Sequence, residues 1–275
     1  MYRQMRVVKS QLSHCLAVFE AMADARHAHR LTDLAQRLDA PKSSVQRLLE
    51  HLAAEGWVEQ DPSTEQYRLT LRLAVLGQRF MQTAGIADAT DGILRNVARQ
   101  TAELVRLTLV DDDRLVWIGS AQGAPPGLVY QPSMGGRIVS YATANGKAWL
   151  ATLTDEEACR IALRDGLGQP SAEVGPRALT TIEGLVAALA RVRAQGFATA
   201  EEEAEPGVAA VAVPVIDPAT GRALGATSVA GPVMRLSPER RPEMVSALRA
   251  AATELARVWP LRRPQQETLG RREAL

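Results

Sequence analysis

The chain has 275 residues, 46% of them hydrophobic, which suits a folded globular protein long enough for two domains. No apolar run approaches the ~20 residues needed to cross a bilayer, and the opening MYRQMRVVKSQLSH lacks the apolar core of a secretory signal, so a cytoplasmic protein without membrane contact is expected. A net charge of +1 supplies no global pull toward nucleic acid, and the isolated Cys15 and Cys159 indicate neither a disulfide framework nor a thiolate metal site.

In chain order, Leu12, Leu16, Phe19 and Ala23 predict an amphipathic first helix. His27, His29 and Arg30 follow in a loop. No third or fourth ligand stands at useful spacing, so no metal is expected there.

The next stretch, RLTDLAQRLDAPKSSVQRLLEHL from Arg30 to Leu52, organises the rest. Leu31, Leu34, Ala35 and Leu38 recur at the spacing of one helix stripe, with Asp33 in the first turn and Thr32 as the candidate cap. Asp39-Ala40 breaks the pattern, and Pro41 suits the first position of a second helix. There Val45, Leu48, Leu49 and Leu52 form the buried stripe, while Ser43, Arg47 and Glu50 point away from it and Lys42, Ser44, Gln46 and His51 lie on its flanks. Two short helices joined by a tight turn, the second exposing small polar and basic residues, is the layout that places a helix in the major groove of DNA. Arg47 and Gln46 can each bond base edges in bidentate fashion, and Lys42, Ser43 and Ser44 suit phosphates. Leucines at helical spacing describe an ordinary helical hairpin equally well.

Gly56 then ends the helix, and Trp57-Val58 and Tyr67-Arg68-Leu69 predict two short strands around the turn Asp61-Pro62-Ser63-Thr64. A hairpin in that position makes a wing, from which Arg68 can reach the flanking groove or backbone. Basic and acidic side chains balance even within residues 1–69, so DNA contact must rely on local positive charge, and a dimer that doubles a few contacts suits such a chain.

Leu69, Leu73, Leu76 and Phe80 predict a helix with one apolar seam that breaks at Ala84-Gly85, and Ile86–Leu104 continues as another helix with Ile93, Leu94, Val97, Ala98 and Thr101 inward. Beyond it, Val105–Val110 and Leu115–Gly119 flank the hairpin signal Asp111-Asp112-Asp113-Arg114, and Gly127–Gln131 reads as a further strand. Met134-Gly135-Gly136-Arg137 turns into a helix over Ala142–Leu153, and Thr154 with Glu157 and Thr180 with Glu183 form capping boxes for two more. Val208–Ile216 and Ala223–Ala230 make a second hairpin, and Ser237-Pro238-Glu239 caps a final helix reaching Val258. The expected architecture is α+β with a mostly antiparallel sheet. It divides into a winged helix-turn-helix domain (1–69), a linker helix (70–84), a larger domain (85–260) and a flexible tail (261–275).

Four stretches in this order and spacing, LTDLAQRLDAPKSSVQRLLEHLAAEGWVEQ, MGGRIVSYATANGKAWLA, GFATAEEEAEPGVAAVAVPVID and GATSVAGPVMRLS, make the chain from about Gln11 to Val258 resemble the IclR family of bacterial transcriptional regulators. The resemblance implies a winged helix-turn-helix joined by a linker helix to a GAF-like effector-binding domain, acting on a double-stranded DNA operator as a homodimer or dimer of dimers. It places the effector between the sheet and the helix after the Gly-Gly turn, lined by Tyr130, Ile138, Ala144, Asn145, Ala200, Ala210, Ser228 and Ala230. Two departures stand beside that site. Ala200, with Glu201 next to it, replaces the aspartate of relatives that bind small keto acids, and Tyr141 replaces a customary histidine.

The small residues leave space for something with apolar bulk, such as an aromatic acid whose carboxylate meets Asn145, Ser228 or the backbone near Gly135-Gly136. An enzyme is disfavoured because His14, His27, His29 and His51 all lie in the proposed DNA-binding part, leaving the larger domain without the commonest general base. Glu201-Glu202-Glu203 reads as a solvated run rather than an acid/base or metal cluster, and no cofactor is implied. The remaining alternative is a ligand-independent DNA-binding or interaction protein with a vestigial pocket.

Overall fold

The computed structural model describes residues 11–23, 28–83, 85–132 and 137–259. His27, the Met134-Gly135-Gly136 turn and the tail 261–275 lie outside them. The chain divides into two compact units, one ending at Met81 and the other starting at Gln82, a division that falls within the predicted linker helix.

In the first unit, α1 (Gln11–Ala23), α2 (Leu31–Arg37) and α3 (Lys42–Ala54) pack around one apolar cluster, and β1 (Val58–Gln60) pairs antiparallel with β2 (Tyr67–Leu69). The stripe Val45, Leu48, Leu49 and Leu52 is buried as expected. On α1 the expectation fails in part: Leu12 and Leu16 are 69% and 56% exposed and Ala23 is exposed, while Val18, Ala21 and Met22 fill the core. The helix carries more apolar residues than one face can bury. Thr32 does not cap α2, because Arg30 holds the cap position and the Thr32 hydroxyl donates to Asp33.

Helix α3 ends as its glycine requires. Gly56, at φ +74°, donates to the Ala53 carbonyl while Trp57 donates to Leu52, so two terminal carbonyls are satisfied across a left-handed residue. Thr70 then donates its hydroxyl to the Gly56 carbonyl at 2.8 Å, and the Arg72 guanidinium lies 5.1 Å from the Trp57 ring centroid. The wing therefore leaves α3 at a fixed angle. His29 adds an isolated antiparallel bridge to Tyr67.

Helix α4 (Arg72–Thr83) leaves Val75, Leu76 and Phe80 exposed, with Leu71 exposed just before it, so these side chains are left uncovered by the described residues.

The second unit is built on a five-stranded sheet in the order β4-β3-β7-β6-β5, with every neighbouring pair antiparallel. Its strands are β3 (Leu104–Asp111), β4 (Arg114–Ala121), β5 (Ala198–Glu201), β6 (Val208–Ile216) and β7 (Ala223–Pro232). Helices α5 (Ile86–Thr101) and α9 (Arg241–Val258) cover one face, packing Leu94, Val97, Met244, Leu248 and Leu255 on Val211, Val213 and Val229. On the other face lie α6 (Ala144–Leu150), α7 (Asp155–Arg164) and α8 (Ile182–Gln195), with Trp149, Ile161, Leu185 and Leu189 in the core. Cover on both faces explains why β6 reads VAAVAVPVI without polar alternation.

Three expectations change here. Gly127–Gln131 forms no strand: Pro125 and Pro126 precede it without N–H donors, and Gly127 takes φ +126°. The cap of α8 is Thr181, one residue later than expected, accepting from Gly184. Strand β5, unread in the sequence, is short and closes the sheet edge on β6.

The start of α6 is held tightly. Thr143 caps it by accepting from Gly146 at 3.1 Å, and the Asp165 carboxylate accepts from the Ser140 backbone and hydroxyl at 3.1 and 2.5 Å. A Cβ on Gly146 would lie 2.0 Å from the Ser140 carbonyl oxygen. Gly146→Ala should therefore force α6 away from its preceding turn and lower stability by about 1–3 kcal/mol, as overpacking does. Chemical denaturation will measure this, and an unchanged midpoint would contradict the close approach.

Candidate functional site

On α3 the side facing away from the core carries Lys42, Ser43, Ser44, Gln46, Arg47, Glu50 and His51, all exposed. Every α3 residue singled out from sequence for DNA contact is thus on open surface. Glu50 accepts from Gln46 at 3.0 Å rather than pairing with Arg47, and the His51 ring bonds the Arg47 carbonyl at 2.7 Å. Gln46 and His51 are thereby oriented along the helix, while Arg47 is exposed beside them. On the wing, Arg68 forms an ion pair with Glu59 at 2.6 Å, so a DNA phosphate would compete with that carboxylate for it. The wing turn is ordered by Asp61, whose Oδ1 accepts from Ser63 N, Ser63 Oγ and Thr64 N at 2.8, 2.6 and 3.1 Å. Those bonds hold its carboxyl below the usual range.

The second unit encloses a cavity of about 200 Å³ between the α6 side of the sheet and the start of α6. Its floor follows from strand register. Ala200 on β5 pairs with Ala210 on β6, which pairs with Ala230 on β7, so three alanines stand in a row across the sheet. Two residues along β7, Ser228 pairs with Arg106 on β3. Ile138, Ala144 and Asn145 close the cavity from above, and Tyr130 and Glu205 stand beside it.

Eight residues expected at the effector site line this cavity together: Tyr130, Ile138, Ala144, Asn145, Ala200, Ala210, Ser228 and Ala230. Two do not. Tyr141 is buried outside the cavity lining, its phenol pushed up by burial and by Asp165. Glu201 points to the far side of β5 and pairs with Arg241, because strand alternation sends it opposite to Ala200. Asn145 is present but committed, its amide donating to the Ala226 carbonyl at 2.9 Å.

Sequence reasoning missed the strongest polar group. Arg106 is only 6% exposed, and its guanidinium lies 3.3 Å from the centroid of the Trp117 ring. Burial pulls its pKa down to about 10, so it stays cationic near neutrality. Tyr130 donates to Glu205 at 2.9 Å, and burial, then the Glu205 charge, pushes that phenol up. A basic residue interrupting the apolar run LVRLTLV was the available signal.

The acidic run at 201–205 is not a solvated cluster. Glu201 pairs with Arg241, Glu202 with Arg177, Glu203 with Lys147, and Glu205 bonds Tyr130, so the end of β5 and the loop that follows it are tied to four separate places. The Lys147–Glu203 pair is buried, with Nζ 2.6 and 2.5 Å from the two carboxylate oxygens. Burial disfavours both charges, pushing the carboxyl up and the ammonium down, and their mutual attraction opposes this.

The comparisons with known proteins agree with this geometry. Residues 78–257 match the family model for the C-terminal domain of bacterial IclR transcriptional regulators, and residues 11–62 match the IclR helix-turn-helix domain. The chain belongs to the IclR family and is built as one of its transcriptional regulators. It is 32% identical over 247 residues to the HTH-type transcriptional regulator KdgR of Escherichia coli, covering 90% of this chain and 91% of that one. A crystal structure of an IclR transcriptional regulator from Alicyclobacillus acidocaldarius superposes with a TM-score of 0.77 at 28% identity, covering 90% of this chain and 98% of the other. A homologue from Microbacterium hydrocarbonoxydans, solved as a complex with 4-hydroxybenzoate, shares the fold with a TM-score of 0.70 at 23% identity, over 90% and 98% of the two chains.

Removing one member of the buried pair should cost more than removing both. Lys147→Met leaves an uncompensated carboxylate and should destabilise by about 3–5 kcal/mol, whereas Lys147→Met with Glu203→Leu should fall near wild type. Equal losses in the single and double variants, read by urea titration, would contradict a desolvation-dominated pair.

Proposed function

We propose that α3 reads operator DNA directly and that a small organic acid in the second unit's cavity sets how well it does so. The observation that carries this reading is the cavity: an alanine row beside a buried cation, inside an effector-type domain on the same chain as a helix-turn-helix. At about 200 Å³ it is smaller than pockets for drug-sized ligands, which favours a compact acid. The relative solved with 4-hydroxybenzoate makes aromatic acids the first class to test.

In this reading Arg47 and Gln46 reach base edges, and Lys42, Ser43 and Ser44 hold phosphates with the helix N-terminus behind them. His51 and Arg68 act at the margins. Residues 70–84 are the linker. The exposed Leu12 and Leu16 on α1 and the exposed side chains of α4 suit burial against a second copy, so the working form is a homodimer or a dimer of dimers. Effector would then act by favouring one spacing of two recognition helices over another. Regulation rather than catalysis is the activity, and a cytoplasmic location goes with it. Among the described residues, no helix is long and apolar enough to cross a membrane.

Footprinting on DNA upstream of the protein's own gene, with and without a panel of acids, tests the reading. Arg47→Ala should weaken the preferred site by about 1–3 kcal/mol and relax its sequence. Lys42→Ala should weaken all sequences alike and reduce the salt slope by about 1. Wild-type affinity in Arg47→Ala would remove that residue from readout, and protection indifferent to every acid would favour a ligand-independent regulator.

A further inference from the structure

Resting on the reading of α3 as the DNA-reading helix, we infer that the start of α1 makes a second contact to the DNA backbone, through His14 and through Arg3, Arg6 and Lys9 ahead of the helix. The geometric observation is a hollow of about 300 Å³ on the first unit, where His14 of α1 faces Pro41, Ser44, Arg47 and His51. None of the described residues lining it is acidic. Ser44 and Arg47 are donors already placed on the exposed side of α3, so His14 brings a third donor to the same hollow from a different helix.

Helix geometry separates this duty of α1 from its exposed leucines. At about 100° per residue, His14 lies roughly opposite Leu12 and Leu16 and about 40° from Val18. Val18 is fully buried, whereas Leu12 and Leu16 are exposed. The side of α1 that meets α3 is therefore not the side left open for a second copy.

The charge distribution points to the same place. Residues 1–10 hold Arg3, Arg6 and Lys9 and no Asp or Glu, while residues 11–69 hold six Lys and Arg against nine Asp and Glu. The overall balance thus conceals a separation: the part carrying α3 and the wing is net acidic, and the compensating cations all precede Gln11. Of those six, Arg37 donates to the Ala21 carbonyl at 3.0 Å and Arg68 pairs with Glu59. A net acidic domain repels a polyanion, and affinity built on counterion release needs cations from elsewhere.

His14 stands three residues after Gln11, where α1 begins, about 4.5 Å along the helix axis. Residues 1–10 therefore join the domain beside the hollow. Ten residues reach at most about 33–36 Å, roughly one turn of B-DNA, so all three cations are within range of phosphates in the site that α3 reads. Phosphate is the partner that cations without an acid among them fit, and it fixes position rather than sequence.

The test uses the full chain with two duplexes, the one footprinted upstream of the protein's own gene and a scrambled one of equal length. Affinities are read by fluorescence anisotropy between about 50 and 200 mM salt. Arg3→Gln, Arg6→Gln and Lys9→Gln combined should weaken both duplexes by the same factor. The slope of log K against log salt should fall by roughly 0.9 for each phosphate released, about 2.7 per protomer, while sequence preference stays. His14→Ala should weaken both duplexes about 2- to 10-fold, with His14→Gln, which keeps a donor, nearer to wild type. Should His14→Ala not fold by circular dichroism, the salt slope of the triple variant still decides. An unchanged slope in the triple variant, or wild-type affinity in His14→Ala, overturns the second contact and leaves α3 as the reader. A triple variant that sediments as a smaller species at the same concentration assigns the segment to a second copy and also overturns it. Binding of neither duplex by wild type at about 50 mM salt removes both readings.

Discussion

The second unit depends on one constraint: a sheet covered on both faces must still leave a hollow on one of them. Val211, Val213 and Val215 of β6 and Val229 of β7 fill the α5 and α9 side, while the α6 side of the same strands carries Ala210, Ala212, Ala226 and Ala230. Had Ala200, Ala210 and Ala230 been leucines, their side chains would fill the space beneath α6 and no cavity would remain. Their small size forgoes apolar burial worth roughly 25 cal/mol per Å², and protein interiors tolerate few such voids. A hollow kept open at that cost, with a buried guanidinium at its floor, is best explained by something that enters it.

What holds the hollow open is polar. Thr143, Gly146, Ser140 and Asp165 fix the start of α6 above it, and the end of β5 with the loop after it fastens four carboxylates to Arg241, Arg177, Lys147 and Tyr130. Only the Tyr130–Glu205 bond of these four lines the cavity itself. A ligand that altered that bond would act on the loop from within, while the other three anchors keep the loop's path. The first unit follows a different logic. Its core is spent on presenting α3 rigidly, through the Gly56 cap, the Thr70 bond and Arg72 on Trp57, so that the outer side of the helix carries no packing duty.

Periodicity made the helix-turn-helix readable. Val45, Leu48, Leu49 and Leu52 leave no other face to bury, and the exposed residues follow by elimination. It failed on α1, where apolar residues surround the helix and Leu12 and Leu16 stay outside. The cavity walls came from the family resemblance, and the register brings eight of them together. Tyr141 and Glu201 were misplaced because a resemblance carries positions but not the side of the strand or turn on which they emerge. Arg106 escaped because a lone arginine in LVRLTLV reads as an edge residue until β7 is known to lie beside it. The acidic run escaped for a related reason: its partners Arg241, Arg177, Lys147 and Tyr130 are distant in sequence and meet only in the fold.

Linkage between the two units is the central claim, and reciprocal titration addresses it most directly. Operator affinity is measured by fluorescence anisotropy with and without saturating acid, and acid affinity by calorimetry with and without saturating operator. Coupling requires both to change by the same factor, about 5- to 150-fold for a coupling of roughly 1–3 kcal/mol. An acid that fills the cavity yet leaves operator affinity untouched, with its own affinity equally indifferent to DNA, would contradict the account.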